Sequence, residues 1–282
     1  MDSLFDEIQP TKRASIGACE VSYKPASSIL TEAKGFMSDY DFTLNPYSGC
    51  SFGCNYCYAA SFSRTEELRQ NWGYWVNVKD NALQLLRKRR SKPLSGKTVY
   101  LSSVTDPYQP IERDVELTRA ILKELVDYHQ PRLVIQTRSP IVTRDLDLLK
   151  QFDTVQVNMT ITTDSEAVRK IFEPLCPANT VRLKAIQQVY EAGIESCITM
   201  TPLLPIVDVH EFAQSLLSTG VKKYVVQPFH PDKGKFVGST KNDILELIRE
   251  MNWTLDKYDV AVAVLRSYIP DIGIGKEGFK PI

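Results

Sequence analysis

Apolar and polar positions follow two rhythms along this chain. Helical spacing marks Val78 to Arg90, which ends in basic residues as a helix C-terminus prefers. The same spacing predicts helices over Val115 to Tyr128, Arg144 to Gln151, Ser165 to Phe172, Thr180 to Ala192 and Val209 to Leu217, with Gly193 as the stop after Ala192. Between them, short apolar runs predict strands at Asp41 to Leu44, Lys97 to Val104, Leu133 to Thr137, Thr154 to Ile161, Ile194 to Met200 and Tyr224 to Val226. Strands alternating with helices call for right-handed βαβ units and a parallel sheet. A polar arm over 1–23 precedes this pattern, which occupies 24–230. From about Lys233 the rhythm changes to a helix, Asn242 to Lys257, and an apolar strand-like run, Val260 to Leu265. The extension, 231–282, is expected to close or cover the barrel that the strands would form.

Composition narrows the class. At 282 residues one α/β barrel-type domain comes first and two small domains second. With 43% hydrophobic and 24% charged residues, the chain has material for a packed core and no compositional case for disorder. Its longest purely apolar stretch, Val260 to Leu265, falls far below the roughly 20 residues that span a bilayer, so no membrane partner is expected. The acidic start, Met1-Asp2-Ser3-Leu4-Phe5-Asp6-Glu7, carries no secretory h-region, which makes a reducing cytoplasm the expected location. Lys and Arg number 34, as do Asp and Glu, and zero net charge argues against holding nucleic acid by bulk electrostatics. A local patch stands against this: Arg87-Lys88-Arg89-Arg90-Ser91-Lys92, with Trp72, Tyr74 and Trp75 shortly before it, offers phosphate pairing and base stacking. The same residues also read as a helix end with dipole-matched cations and aromatics packed on the barrel, and the neutral charge favours that reading.

Six cysteines carry the sharper signal, because Cys50, Cys54 and Cys57 fall within eight residues. In a chain with no export signal, clustered cysteines read as metal ligands or redox groups before disulfides. A closed zinc site wants four ligands, and the histidines, His129, His210 and His230, all lie far from the cluster in sequence. Three thiolates at C-x3-C-x2-C spacing suit a cubane [4Fe–4S] cluster in which three irons have protein ligands and the fourth keeps a position open for a reactant. Gly49 and Gly53 give such a loop backbone freedom and close approach. Tyr56 offers an aromatic face to whatever binds the open iron.

Cys50-x-x-x-Cys54-x-Tyr56-Cys57 resembles the signature of the radical S-adenosylmethionine (SAM) superfamily, including the aromatic before the third cysteine. The wider series resembles the spore photoproduct lyase-like branch: Ser28-Ile29-Leu30, Asn45-Pro46-Tyr47, Tyr56-Cys57-Tyr58-Ala59, Thr105-Asp106-Pro107-Tyr108-Gln109-Pro110-Ile111-Glu112, Thr118-Arg119, Arg144-Asp145-Leu146 and Glu173-Pro174. The match runs over approximately 24–230. It implies an α/β fold of the partial (β/α)6 TIM-type barrel kind with a C-terminal extension. It implies a [4Fe–4S] cluster on the three cysteines, and SAM chelating the open iron through its amino and carboxylate groups. Thr105 and Asp106, at the end of the second strand, then match the family's Ser/Thr-Asp pair near the methionine moiety. Arg138 follows the third strand, where relatives commonly carry Lys, and either cation could pair with the SAM carboxylate. Asn158 and Thr160 share a face of the fourth strand and are candidates for the amino or ribose groups. Capping of the following helices is the alternative for all of these residues.

The resemblance further implies electron transfer into SAM and a 5′-deoxyadenosyl radical that abstracts hydrogen from a substrate, with flavodoxin or ferredoxin as the external reductant. Spore photoproduct lyases carry a cysteine hydrogen donor just ahead of the Ser/Thr-Asp pair, and Ser103 occupies that place here. A serine O–H bond is too strong to replace a thiol donor. Cys197 shares a strand face with Thr199 and Thr201 and could point into the barrel, while Cys176 and Cys19 have no evident partner. The reading is therefore a radical SAM enzyme whose substrate is open, nucleic acid included. The alternatives are DNA photoproduct repair with a displaced hydrogen donor, and a non-catalytic iron–sulfur or zinc protein.

Overall fold

A computed structural model describes residues 12–230 and 240–282. Among them, the six strands expected from the pattern form one sheet: β4 (Phe42–Leu44), β7 (Thr98–Leu101), β8 (Arg132–Thr137), β9 (Val155–Thr160), β10 (Glu195–Leu203) and β11 (Lys223–Pro228), each parallel to the next. A β3 strand (Leu30–Glu32) adds antiparallel to β4 at one edge, and β12 (Gly273–Ile274) adds parallel to β11 at the other. The edges, β12 and β3, end the strand order rather than pairing with each other. A second sheet runs β1 (Ser15–Ile16), β2 (Cys19–Tyr23), β6 (Trp75–Val78) and β5 (Tyr47–Gly49) in that order.

Helices pack on one face of the main sheet, because each strand sends alternate side chains to each face. Val99, Leu101, Leu133, Ile135, Val157, Met159, Ile198 and Met200 meet the helices in the main core. The other face carries Tyr100, Gln136, Asn158, Thr160, Cys197 and Thr199, of which Gln136 donates to the hydroxyls of Thr160 at 2.7 Å and Thr199 at 3.0 Å. Tyr100 and Cys197 share a small cluster with Tyr40, Val134, Val225 and Phe279, so strands far apart in the sheet order meet across its concave side.

Several expected boundaries move, each for a local reason. The second strand stops at Leu101 rather than Val104, because Ser102 turns to a left-handed backbone at φ 79°; Thr105 and Asp106 therefore sit in the loop beyond it. Helix Val78 to Arg90 gives way to β6 and a shorter helix, Ala82–Arg87: Val76 and Val78 are buried between half-exposed neighbours, a period of two. Glu116 at φ 46° divides Glu112–Val115 from Leu117–Tyr128, and Arg144 to Gln151 becomes a 3-10 turn, Pro140–Asp145, followed by Leu146–Leu149.

The expected strand at Val260 to Leu265 is instead the middle of a helix, Leu255–Tyr268. Tyr258, Ala261, Val262 and Leu265 are buried at helical spacing while Val260 is exposed, so the apolar run had concealed a period of 3.6. This helix is separate from Asn242–Glu250, the two being divided near Asn252 at φ 49°. The C-terminal region touches both ends of the sheet. Ile244 and Ile248 pack among the residues of the cysteine loop, and Trp253 donates to Leu203 O at 3.2 Å. Phe279 reaches the opposite end, edge-to-face with Phe36 at 5.6 Å, with Lys276 tied to Asp39 at 3.0 Å. No helix among the described residues is long and apolar enough to cross a membrane.

Candidate metal centre

Strand β5 delivers Gly49 into the loop that holds Cys50, Cys54 and Cys57, and the loop is shaped by two tight approaches. A Cβ at Gly49, whose φ is +77°, would meet Trp75 O at 2.4 Å. Gly53 and Gly73 pack backbone against backbone, so that a Cβ on Gly73 would lie 2.8 Å from the Gly53 Cα. The loop is also held from the far side. Thr105 donates to Gly49 O at 2.6 Å, and the fully buried Gln109 accepts from Ser51 N at 2.9 Å while donating to Thr105 at 3.2 Å. Thr105 thus braces the cysteine loop directly. Asp106, also buried, braces the next strand end: it accepts from Thr137 Oγ1 at 2.8 Å, from Arg138 N at 2.7 Å and from Tyr108 N at 2.9 Å.

All three cysteines are free thiols, and Cys50, Cys54 and Tyr56 are buried in one cluster with Phe172, Phe229 and Trp72, Cys57 packing against it. Burial pushes the Cys50 thiol well up, aided by Asp106 and by the other two cysteines, and lifts Cys57 to about 12. Cys54 moves down, because a hydrogen bond with Cys176 and the charge of Arg138 outweigh its burial. All three cysteines belong to, or pack against, the same buried cluster. Among the described residues no three His, Cys, Asp or Glu side chains gather as ligands of a single ion. A cubane spreads three thiolates over three irons. The donor set, three free thiols on a glycine-shaped loop, fits an iron–sulfur cluster.

Beside the thiols lies a buried charged network that joins Arg138 and Tyr56 to Glu173 and Arg182, two residues to which the sequence assigned no role. Glu173, fully buried, accepts from the Tyr56 hydroxyl, from Thr162 Oγ1 at 3.0 Å and from Arg138 Nε at 3.4 Å, and pairs with the equally buried Arg182 at 2.6 Å. Burial opposes its charge, but Arg182, Arg138 and Tyr56 outweigh that and lower its pKa to about 2. Arg138 also donates to the Tyr56 hydroxyl at 3.0 Å and lies 5.9 Å from the centre of that ring. Arg182 carries the link onward, donating to Thr160 O at 3.1 Å.

Of the expected site residues, Cys50, Cys54, Cys57, Tyr56 and Arg138 therefore come together, with Thr105 and Asp106 bracing them from behind. Asn158 and Thr160 lie on the concave face of β9. Thr160 shares Gln136 with Thr199, and Asn158 accepts from Gln156 at 2.7 Å. Cys176, expected to be isolated, has its sulfur 3.6 Å from that of Cys54. Glu173 was part of the recognised series without a role, and Arg182 had a signal of its own. It stands on the buried stripe of Asn179–Glu191, with Asn179, Ala185, Ile186 and Val189. The basic segment and the aromatics are placed apart. Arg87 and Arg90 face Glu124 at 3.8 and 2.7 Å, whereas Trp72 packs among the cysteine-loop residues and edge-to-face on Trp75.

Known proteins resemble this chain in sequence and in fold. An uncharacterised protein of Methanocaldococcus jannaschii is 34% identical over 237 residues, 78% of this chain and 88% of its own length. A radical SAM Nalpha-GlyT isomerase of Pseudomonas phage M6 is 25% identical over 171 residues, 59% of this chain and 34% of its own. A spore photoproduct lyase variant solved with bound AdoMet and dinucleoside spore photoproduct shares the fold at a TM-score of 0.63 and 13% identity, over 90% of this chain and 81% of that one. The Radical SAM superfamily model itself matches residues 44–218, and with the three free thiols on their braced loop this establishes that the chain belongs to the radical SAM superfamily.

Proposed function

We propose that the chain is an enzyme that holds a [4Fe–4S] cluster through Cys50, Cys54 and Cys57 and cleaves SAM. The observation that carries this reading is the meeting of three free buried or half-buried thiols with Arg138 and Tyr56 at one end of a parallel sheet. When bound, the cluster and SAM would supply reductive cleavage of the sulfonium C–S bond, giving methionine and a 5′-deoxyadenosyl radical that takes hydrogen from a substrate.

The chain's own residues prepare the site. Arg138 keeps 20% of its side chain exposed while Glu173 keeps none, so one edge of the guanidinium is anchored and another is offered to the SAM carboxylate. Tyr56 is fixed by Glu173 and Arg138 at its hydroxyl and would offer its ring to a ligand of the cluster. Thr105 and Asp106 hold the loop and the strand end to which Arg138 belongs. Asn158 and Thr160, on the concave face, would serve the amino or ribose groups. The helix Asn242–Glu250 covers the cysteine loop with Ile244 and Ile248 and excludes water from it. An external reductant of the flavodoxin or ferredoxin kind supplies the electron.

Repair of DNA photoproducts is the weaker form of this reading. Ser103 stands in the donor place, accepting from Asn45 Nδ2 at 3.2 Å, and Cys197 lies at the opposite end of the concave face among Tyr40, Tyr100 and Phe279. Anaerobic reconstitution tests the proposal: about four irons per chain and SAM-dependent release of 5′-deoxyadenosine under a strong reductant are expected. Bound zinc, or a cluster whose EPR spectrum ignores added SAM, would overturn it.

A further inference from the structure

We propose that Cys176 is a positioning residue for the metal centre: its thiol donates a hydrogen bond to the Cys54 sulfur and raises the reduction potential of the cluster held there. The inference rests on the reading of Cys50, Cys54 and Cys57 as cluster ligands. The two sulfurs are 3.6 Å apart although 122 residues separate them in sequence, and both residues are buried with Phe172, Leu204 and Phe229.

Neither sulfur depends on the other for its place. On the Cys54 side, the adjacent Asn55 donates its backbone N–H to Phe172 O at 2.9 Å and its side chain to Ile171 O at 2.6 Å, which fastens the loop to the end of the helix Glu166–Phe172. On the Cys176 side, the following turn closes through Cys176 N to Glu173 O at 3.1 Å. The buried Arg169 clamps that turn by donating to Glu173 O at 2.9 Å and Cys176 O at 2.8 Å, and is itself held by Glu166 at 2.6 Å. Two rigid segments, joined by bonds that involve neither thiol, therefore present one sulfur to the other.

The direction of the hydrogen bond follows from ligation. A cysteine that binds iron does so as a thiolate and has no proton to give. Cys176 is outside the three-cysteine motif and is buried, which favours the neutral thiol, so it is the donor and Cys54 the acceptor. Reduction adds negative charge to the cluster and its sulfurs, and a donor aimed at a ligating sulfur stabilises the more negative state. The reduced form is thereby favoured.

Redox titration of the reconstituted full-length chain, followed by EPR, tests this with Cys176→Ala and Cys176→Ser. The expected order of midpoint potentials is alanine lowest, wild type between, and serine highest, since the hydroxyl is the stronger donor. At the wild-type midpoint the ratio of reduced to oxidised cluster should fall several-fold in Cys176→Ala, with iron and sulfide content unchanged. Equal potentials in all three chains overturn the proposal. So does loss of iron in both variants, which would make Cys176 a ligand instead. Should the alanine variant fail to fold, the serine variant against wild type decides the matter, an unshifted potential again overturning it. A wild-type chain that takes up no cluster at all would overturn the reading of the cysteine loop itself.

Discussion

The two ends of the concave face are built on different physics. At the cysteine end, buried side chains carry charge: Glu173, Arg182, Arg169 and Asp106 are each almost completely shielded, and each has several partners at fixed distances. At the opposite end the contacts are shape and area. Tyr40 packs edge-to-face on Tyr100 at 5.1 Å, and Val134, Cys197, Val225 and Phe279 fill the space around them. A charged network buried in low dielectric tolerates little change, because each partner removed strands another charge. An apolar plug loses only the area and volume of what is deleted. The cysteine end is the brittle one; the other end is a stopper.

The largest break in that contrast should come from Glu173→Gln. It leaves Arg182 buried without its counter-charge and should cost about 3–5 kcal/mol in urea unfolding at neutral pH. The same residue sets an acid limb. Because its folded pKa is lowered to about 2, its stabilisation is complete above the ordinary carboxylate value, near 4.3, and is lost as the pH falls from there toward about 2. Urea midpoints taken across that window should fall steeply in the wild-type chain and more gently in Glu173→Gln; parallel slopes would show that the pair is not the source.

Phe279→Ala probes the other end. It should cost about 3 kcal/mol by the removal of a buried ring, and leave iron uptake by the folded chain unchanged. Altered iron uptake would mean that the two ends are coupled. The smallest effect belongs to Lys276→Ala, which removes an exposed tie between the C-terminal region and Asp39. Less than about 1 kcal/mol is expected, vanishing in high salt.

How far each region was legible in the sequence follows from the range of the forces involved. The six parallel strands and most helices were readable because burial of one face imposes a period, and a period is written locally. Where two periods overlap, as at Val260 to Leu265, a short apolar run fits either, and length and neighbours decide. Left-handed turns at Ser102, Glu116 and Asn252 cut three expected elements short; the first two fall at residues whose type does not announce them, whereas Asn252 is a type that tolerates this backbone.

The site divides the same way. Cys50, Cys54, Cys57 and Tyr56 lie within one loop, and their spacing alone carried the resemblance to the family signature. Thr105 and Asp106 were found as a pair, but their work as braces depends on Gly49, Thr137 and the Arg138 backbone, all brought to them by the sheet. Arg182 had a trace in the sequence, a cation on an apolar stripe, yet only Glu173 opposite it explains its burial. Cys176 had none. The sequence by itself determined the parallel α/β scaffold and the three thiols, since periodicity and short spacing act within a few residues. Only the tertiary structure decided that Glu173, Arg182 and Cys176 stand behind those thiols, because their partners are up to 122 residues away and a buried charge or a single sulfur leaves no period to read.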